Sequence, residues 1–284
     1  MSEHLIHPAE LDRLLRTSDP EDRPVVLDVR WALGRGTAAN RAEYAEGHVP
    51  GAAFVDLETT LAGPPGAGGR HPMPDIAVAQ EGFRRAGVMD EQPVVVYDGS
   101  TSVAASRAWW LLQYYGKPDV RVLDGGYAAW RAAGLPVETG EVEVPEGDIV
   151  LTPGGRRLLT ADDIEHYLDR HQVLDARPAD RFRGENETID PVAGHIPGAL
   201  SVPSSLQVGP DGRFLDEDDL EMQFTSRGVR PERRTAIYCG SGVAATHVAL
   251  AMEVAGVGHY DPGVYIGSWS EWVTDPERPV ATGE

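Results

Sequence analysis

Residues 236–250 read AIYCGSGVAATHVAL, and residues 94–108 read VVVYDGSTSVAASRA. Each passes from a short apolar, β-branched run through a loop of glycine and serine into small helix-forming residues. A strand that leads at once into a helix is the building unit of a parallel sheet, because parallel neighbours need a crossover and the crossover helix covers the sheet. The two stretches part company at one position. Cys239, the only cysteine of the chain, stands where the other stretch has Asp98.

The loop occurs twice because much of the chain occurs twice. VVLDVR at 25–30 is matched by QVLDAR at 172–177, EGHVPGAAFV at 46–55 by AGHIPGALSV at 193–202, and LDGGYAAW at 123–130 by YIGSWSEW at 265–272. These blocks and the loop keep the same order at displacements of 141 to 147 residues. That period is too long for a solenoid and indicates a duplicated domain. The duplication predicts one domain over 1–140, an acidic linker rich in Pro and Gly over 141–155, and a second domain over 156–284. A chain of 284 residues is also longer than one modest core needs.

Within each copy strand and helix alternate. Strands are expected at Val25–Val29, Val94–Tyr97 and Val120–Leu123, and again at Gln172–Asp175 and Ala236–Tyr238. Helices are expected at Ser102–Tyr115, at AAWRAAG before Gly134, at Asp216–Arg227, and at Val243–Ala255 before Gly256. The fold class is α/β, each domain a mainly parallel sheet with helices on both faces.

The composition narrows the function. The formal net charge of −20 disfavours nonspecific binding to nucleic acid or to anionic membrane. An anionic substrate would need a local exception to that field. The first residues, MSEHLIHPAELDRLL, read as an amphipathic segment and not as a signal peptide, and no apolar window is long enough to span a membrane. One cysteine makes neither an intramolecular disulfide nor a Cys-based zinc site. A cytoplasmic protein without a metal is expected.

Cys239 sits at the C-terminal edge of its strand, where ligands of such sheets usually bind. A helix starts a few residues later, and its unpaired N–H groups and partial positive charge favour the thiolate. Gly240 and Gly242 lack Cβ atoms, so the backbone can turn inward around a group on sulfur, and Ser241 adds a hydroxyl. The expectation is a nucleophilic cysteine in an anion-binding cradle. A lone cysteine is more often inert and buried, and the loop's placement reverses that preference. His247, inside the helix, reads as a packed residue. The sequon NET at 186–188 has no role in a cytoplasmic chain. A phosphatase loop would carry arginine six residues after the cysteine, and here Ala245 stands there.

Taken together, GHVPGA, GHIPGA, LDAR, CGSGVA and GSWSEW resemble the two-domain rhodanese family of sulfurtransferases, and the resemblance covers nearly the whole chain. It implies two rhodanese-like domains, of which the second carries the nucleophile and the first, with Asp98, is silent and lends residues to a site between them. The loop is similar to that of mercaptopyruvate sulfurtransferases, which carry Gly-Ser-Gly after the cysteine. Thiosulfate sulfurtransferases carry two basic side chains there. The resemblance assigns Cys239 as the persulfide-forming nucleophile and Ser241 with Glu58 (in FVDLE) as the proton-moving pair. His71 (in GGRHPMP) then lies near the substrate, Arg181 (in DRFRG) holds its carboxylate, and the loop residues Gly240, Gly242, Val243 and Ala244 line it. No cofactor and no metal are implied. The expected partners are a small sulfur donor and a thiol acceptor, with a thioredoxin-like protein among the candidates. Alternatives are a thiosulfate sulfurtransferase and a non-catalytic persulfide carrier or regulatory module. Two departures stand out: Asp190 lies where a second arginine normally precedes the Gly-His-Ile-Pro block, and Ile266 replaces an acidic residue before Gly-Ser-Trp.

Overall fold

The computed structural model describes residues 3–17, 19, 21–257 and 261–284, which contacts divide into two compact units. The first comprises 1–63, 74–155 and 210–214, and the second 64–73, 156–209 and 215–284. The stretch 64–73 therefore packs with the second unit although it lies early in the chain. The linker residues 141–155 belong to the first unit. There Gly147 N–H donates to Arg84 O at 2.8 Å, Thr152 N–H to Tyr115 O at 2.9 Å and Gly155 N–H to Tyr114 O at 2.9 Å.

Among the described residues the first unit carries strands β1 (Leu5–Ile6), β2 (Val25–Asp28), β3 (Ala53–Phe54), β4 (Val94–Tyr97) and β5 (Val120–Leu123). They form one parallel sheet in the order β1-β5-β4-β2-β3. The second unit repeats this with β6 (Leu158–Leu159), β7 (Gln172–Asp175), β8 (Leu200–Ser201), β9 (Thr235–Tyr238) and β10 (Gly263–Tyr265), in the order β6-β10-β9-β7-β8. All the pairings are parallel. The central strands are buried at every residue, as expected when both faces are covered. Val95 and Tyr97 of β4 join a core with Leu11 of the helix Pro8–Thr17 and Trp130 of the helix Gly126–Ala132. The intervening residues Val94 and Val96 point to the opposite face, where the helix Val103–Tyr114 packs on β4 and β5. In the second unit Ala236 and Tyr238 share a core with Ile164, Trp269 and Trp272, and the helix Ala244–Val254 packs on β9 and β10.

The repeated sequence blocks are repeated anchors. Arg30 Nη2 binds Asp28 at 2.6 Å and Gly47 O at 2.9 Å; Arg177 Nη2 binds Asp175 at 2.6 Å and Gly194 O at 2.6 Å. Each LDxR block thus clamps the glycine that opens its GHxPG block. The next residue is packed, not catalytic. His48 Nδ1 meets Tyr44 O at 3.0 Å, and His195 Nδ1 meets Phe182 O at 2.8 Å, each ring stacked on the aromatic whose carbonyl it meets. The following N–H then caps a tyrosine of the central strand, Val49 to Tyr97 Oη at 3.0 Å and Ile196 to Tyr238 Oη at 3.1 Å. Buried polar anchors repeated in both units specify one arrangement of strand ends.

Candidate active site

The site is built where β9 ends. Cys239, 3 % exposed, follows Tyr238 directly, and the next helix begins at Ala244. Gly242 adopts φ +77°, a conformation that favours glycine, and a Cβ there would overlap the Ile266 carbonyl oxygen. This turn aims the Gly242 N–H at Cys239 Sγ, at 3.1 Å. Ile266 is buried and contributes that backbone wall.

A second turn closes over the first. Trp269 N–H donates to Cys239 O at 3.0 Å and Ser270 N–H to Gly240 O at 2.9 Å. Ser268 holds φ +55°, a left-handed backbone that costs a serine about 1 kcal/mol. It accepts the Cys239 N–H on Oγ at 3.0 Å, donates to Tyr265 O at 2.8 Å, and lies 4.0 Å from Sγ. Sequence reading missed Ser268. Its signal was present, since the block at 265–272 repeats 123–130 and sets Ser268 opposite Gly126, which has the same φ of +55°.

The segment 64–73 brings two side chains to this loop. Gly69, at φ +98°, is pressed against Gly267 O and Ser270 Oγ, and Arg70 N–H donates to Ser270 Oγ at 3.0 Å. From there His71 Nδ1 reaches Ser241 Oγ at 2.7 Å, both residues being buried. The Arg70 guanidinium lies over Gly240, with Nη2 2.7 Å from the position a Cβ would take. Arg181 joins it, with Nη1 at 3.6 Å from the same point. The loop itself carries no cation, yet two guanidiniums cover it. Arg181 is held by Glu187, Nε at 3.0 Å and Nη2 at 2.8 Å, and by Asp190 through Nη2 at 2.9 Å.

The second unit therefore brings together Cys239, Gly240, Ser241, Gly242, Arg181 and His71, with Val243 and Ala244 forming the entry to the helix. Glu58 belongs to the first unit, on the π-helical turn Leu57–Leu61, where it accepts the Trp31 Nε1–H at 2.8 Å. His247 is fully buried within its helix, in keeping with a packed residue. Arg70, Glu187 and Asp190 were not foreseen as a group, because residues 70 and 190 meet only through the fold.

The family model of the rhodanese-like domain matches residues 7–133 and 160–275. The chain belongs to the rhodanese family. It is 46 % identical over 276 residues to the "Probable 3-mercaptopyruvate sulfurtransferase" of Pseudomonas aeruginosa, covering 95 % of each chain. It is 43 % identical over 285 residues to the "Putative thiosulfate sulfurtransferase SseB" of Mycobacterium tuberculosis, covering 98 % of this chain and 97 % of that one. It is also similar to the crystal structure of SseA from Escherichia coli, described as having the rhodanese fold of 3-mercaptopyruvate sulfotransferases. That match has a TM-score of 0.79 at 34 % identity, over 94 % of this chain and 99 % of that one. The tandem arrangement of two rhodanese-like domains is thus common to sequence and structure. No helix among the described residues is long and apolar enough to cross a membrane.

Proposed function

We propose that the chain is a sulfurtransferase that takes sulfur from 3-mercaptopyruvate on to Cys239 and passes it to a thiol or to cyanide. The observation that carries the reading is the nucleophile's setting: Sγ accepts the Gly242 N–H, with the His71–Ser241 pair and the Arg181 guanidinium around the same loop. The names of the Pseudomonas and Escherichia relatives support the donor.

In the first step the Cys239 thiolate attacks the donor's sulfur. The new S–S bond forms as the C–S bond breaks, and the bonding pair leaves on carbon as the enolate of pyruvate, which takes a proton to become pyruvate. The sulfur stays as a persulfide anion on Cys239. In the second step a thiolate or cyanide attacks the outer sulfur, and the Cys239 thiolate departs with the S–S electrons. Covalent catalysis splits one hard transfer into two easier ones. Gly242 N–H and the helix start stabilise negative charge on sulfur throughout. Ser241 and His71 move the proton to and from the leaving enolate, and Arg181 holds the donor's carboxylate. Glu58 enters the proton-moving set on the family resemblance alone. The acceptor, a small thiol or a thioredoxin-like protein, and the cytoplasmic setting belong to the same proposal.

A second reading, thiosulfate as donor, is favoured by the name of the Mycobacterium relative and by the cations over Gly240, which suit any anion. Steady-state assays with mercaptopyruvate and with thiosulfate, each with cyanide as acceptor, separate the two. A higher kcat/KM with mercaptopyruvate is expected. A clear preference for thiosulfate overturns the donor assignment, and no turnover with either, despite loading of one sulfur on Cys239 by mass, returns the carrier reading.

A further inference from the structure

We infer that the first unit carries a ligand site of its own, a cavity that takes an amphipathic organic anion with one charged head on an apolar body. The inference does not rest on the sulfurtransferase reading. The cavity measures about 770 Å³, within the range of roughly 300–1,000 Å³ usual for small-molecule sites. Pro24 and Val25 line it at the start of β2, whereas Asp98 follows the end of the parallel strand β4, so the cavity lies at the other end of the sheet from that loop. Its walls include Val26, Met89, Trp130 and Val144. Val144 belongs to the linker, and its Cγ2 lies 3.2 Å from the position of a Cβ on Gly87, so the linker is tight against the unit there.

The second unit shows how the same place is closed without a ligand. Trp272 repeats Trp130, and each indole Nε1–H donates to a proline carbonyl, Pro136 O at 2.7 Å and Pro279 O at 3.0 Å. Over Trp272 lies the Arg278 guanidinium, 4.9 Å from the ring centre and bound to Glu165 and Asp162, each at 2.7 Å. Counted from the first residue of their helices, Glu165 of Ala161–Arg170 stands at the place of Asp12 of Pro8–Thr17, and Leu168 at the place of Leu15. Leu168 comes within 3.5 Å of a Cβ position on Gly198, while the matching Gly51 has nothing within 4 Å. With the two prolines aligned, Arg278 falls opposite Leu135, which packs on the core of the first unit instead. The fold therefore does not require this opening, since one copy fills it with its own side chains.

The rim gives the sign of the ligand. Around the second unit's Trp272 the acids Asp162, Glu165 and Asp275 receive an internal cation. Around the first unit's cavity stand Arg16, Arg23 and Asp12, two guanidiniums to one carboxylate, and Arg16 Nε already holds Asp12 at 2.9 Å. An occupant opposite in charge to its rim is a cation in the one and an anion in the other. In a chain of net charge −20 a rim with excess positive charge is a local exception. The indole and the aliphatic walls take the apolar body, for which a donor as small as mercaptopyruvate offers too little surface.

The test titrates anilinonaphthalene sulfonate, an aromatic anion that fluoresces in apolar surroundings, into the full chain, with dodecanoate, dodecanol and pyruvate as competitors. One probe per chain is expected, displaced by dodecanoate and retained in excess pyruvate. Val144→Trp puts an indole into the cavity and is expected to weaken the probe and dodecanoate at least about tenfold. Arg16→Ala combined with Arg23→Ala is expected to weaken both anions about fivefold and to leave dodecanol unchanged. An unaltered unfolding midpoint shows that each variant is folded, and should Val144→Trp fail to fold, the rim pair carries the test. Absence of probe binding, displacement by pyruvate, undiminished binding in folded Val144→Trp, or a rim pair that weakens dodecanol as much as dodecanoate each overturns the inference.

Discussion

In the first unit the loop after β4 closes on Asp98, and in the second the loop after β9 closes around Cys239. Asp98 is buried, and its carboxylate accepts the N–H groups of Ser100 at 3.0 Å, Ser102 at 2.9 Å, Ala104 at 2.9 Å and Ala105 at 3.3 Å. Burial pushes its carboxyl up and these donors pull it back. The cradle that the sequence suggested for a sulfur anion thus exists in the first unit with an internal anion already in it. The second unit pairs the same strand–turn–helix with a thiol, one donor on sulfur, and two arginines overhead. The comparison separates what the fold supplies from what catalysis adds. Both units aim backbone N–H groups at the residue that ends the central strand, four at Asp98 and one at Cys239 Sγ, and only the second unit offers a transferable atom there and brings cations and a His–Ser pair to it.

The strongest way to break this comparison is to exchange roles one residue at a time. Cys239→Ser is expected to lower sulfur transfer by at least about a thousandfold, since a hydroxyl cannot hold a transferable sulfur. Asp98→Ala is expected to keep more than about a tenth of the rate. It should still destabilise the chain by about 1–3 kcal/mol, because four N–H groups lose their acceptor, three of them in buried hydrogen bonds. Cyanide-coupled kinetics and the denaturant midpoint read the two effects separately. Substantial transfer in Cys239→Ser would mean that the units do not divide the labour this way.

A graft sharpens the point. Asp98→Cys placed in the Cys239→Ser background puts a thiol at the end of β4, under the same kind of helix start. Recovery to no more than about 1 % of wild-type kcat/KM is expected, roughly 3 kcal/mol short. Nothing lies within 4 Å over Gly99, and the first loop takes its left-handed turn at Ser102, φ +62°, one residue later than Gly242 does. The N–H that reaches Cys239 Sγ therefore has no counterpart at the same step. Recovery above about a tenth would show that loop and helix suffice without the arginines.

Much of this was legible in the sequence. The central strands are four-residue apolar runs, and the expected Val94–Tyr97, Val120–Leu123 and Gln172–Asp175 agree with the structure. The helix ends follow Gly134 and Gly256, both left-handed. The flanking strands Ala53–Phe54, Leu158–Leu159 and Leu200–Ser201 were not legible, because two residues carry no period. The nucleophile and its loop were legible because they lie within one strand–turn–helix. The Arg70, Asp190 and Glu187 cluster was not, because its members are up to 120 residues apart and each reads alone as a solvated surface charge. The placement of 64–73 with the second unit is likewise a matter of contact, and no break in composition marks it.

The finest test concerns the one place where the two turns share a backbone and differ in side chain. Gly126 and Ser268 both sit at φ +55°. In the first unit a Cβ at Gly126 would meet Asp98 O at 2.5 Å, so that turn has no room for a side chain. In the second unit a serine stands there despite the strain, with Oγ on the Cys239 N–H and 4.0 Å from Sγ. Ser268→Gly relieves about 1 kcal/mol of left-handed strain and removes two hydrogen bonds of about 1 kcal/mol each. The stability change is therefore expected to stay within about 1 kcal/mol, too small to explain a change in rate by unfolding. The Cys239 N–H loses its acceptor, and the sulfur loses its neighbouring hydroxyl. A fall in kcat of roughly three- to tenfold, about 1 kcal/mol of transition-state free energy, is expected with KM unchanged. An unaltered kcat would make Ser268 a spacer like Gly126, and a loss of stability above about 2 kcal/mol would assign it to the fold instead of the chemistry.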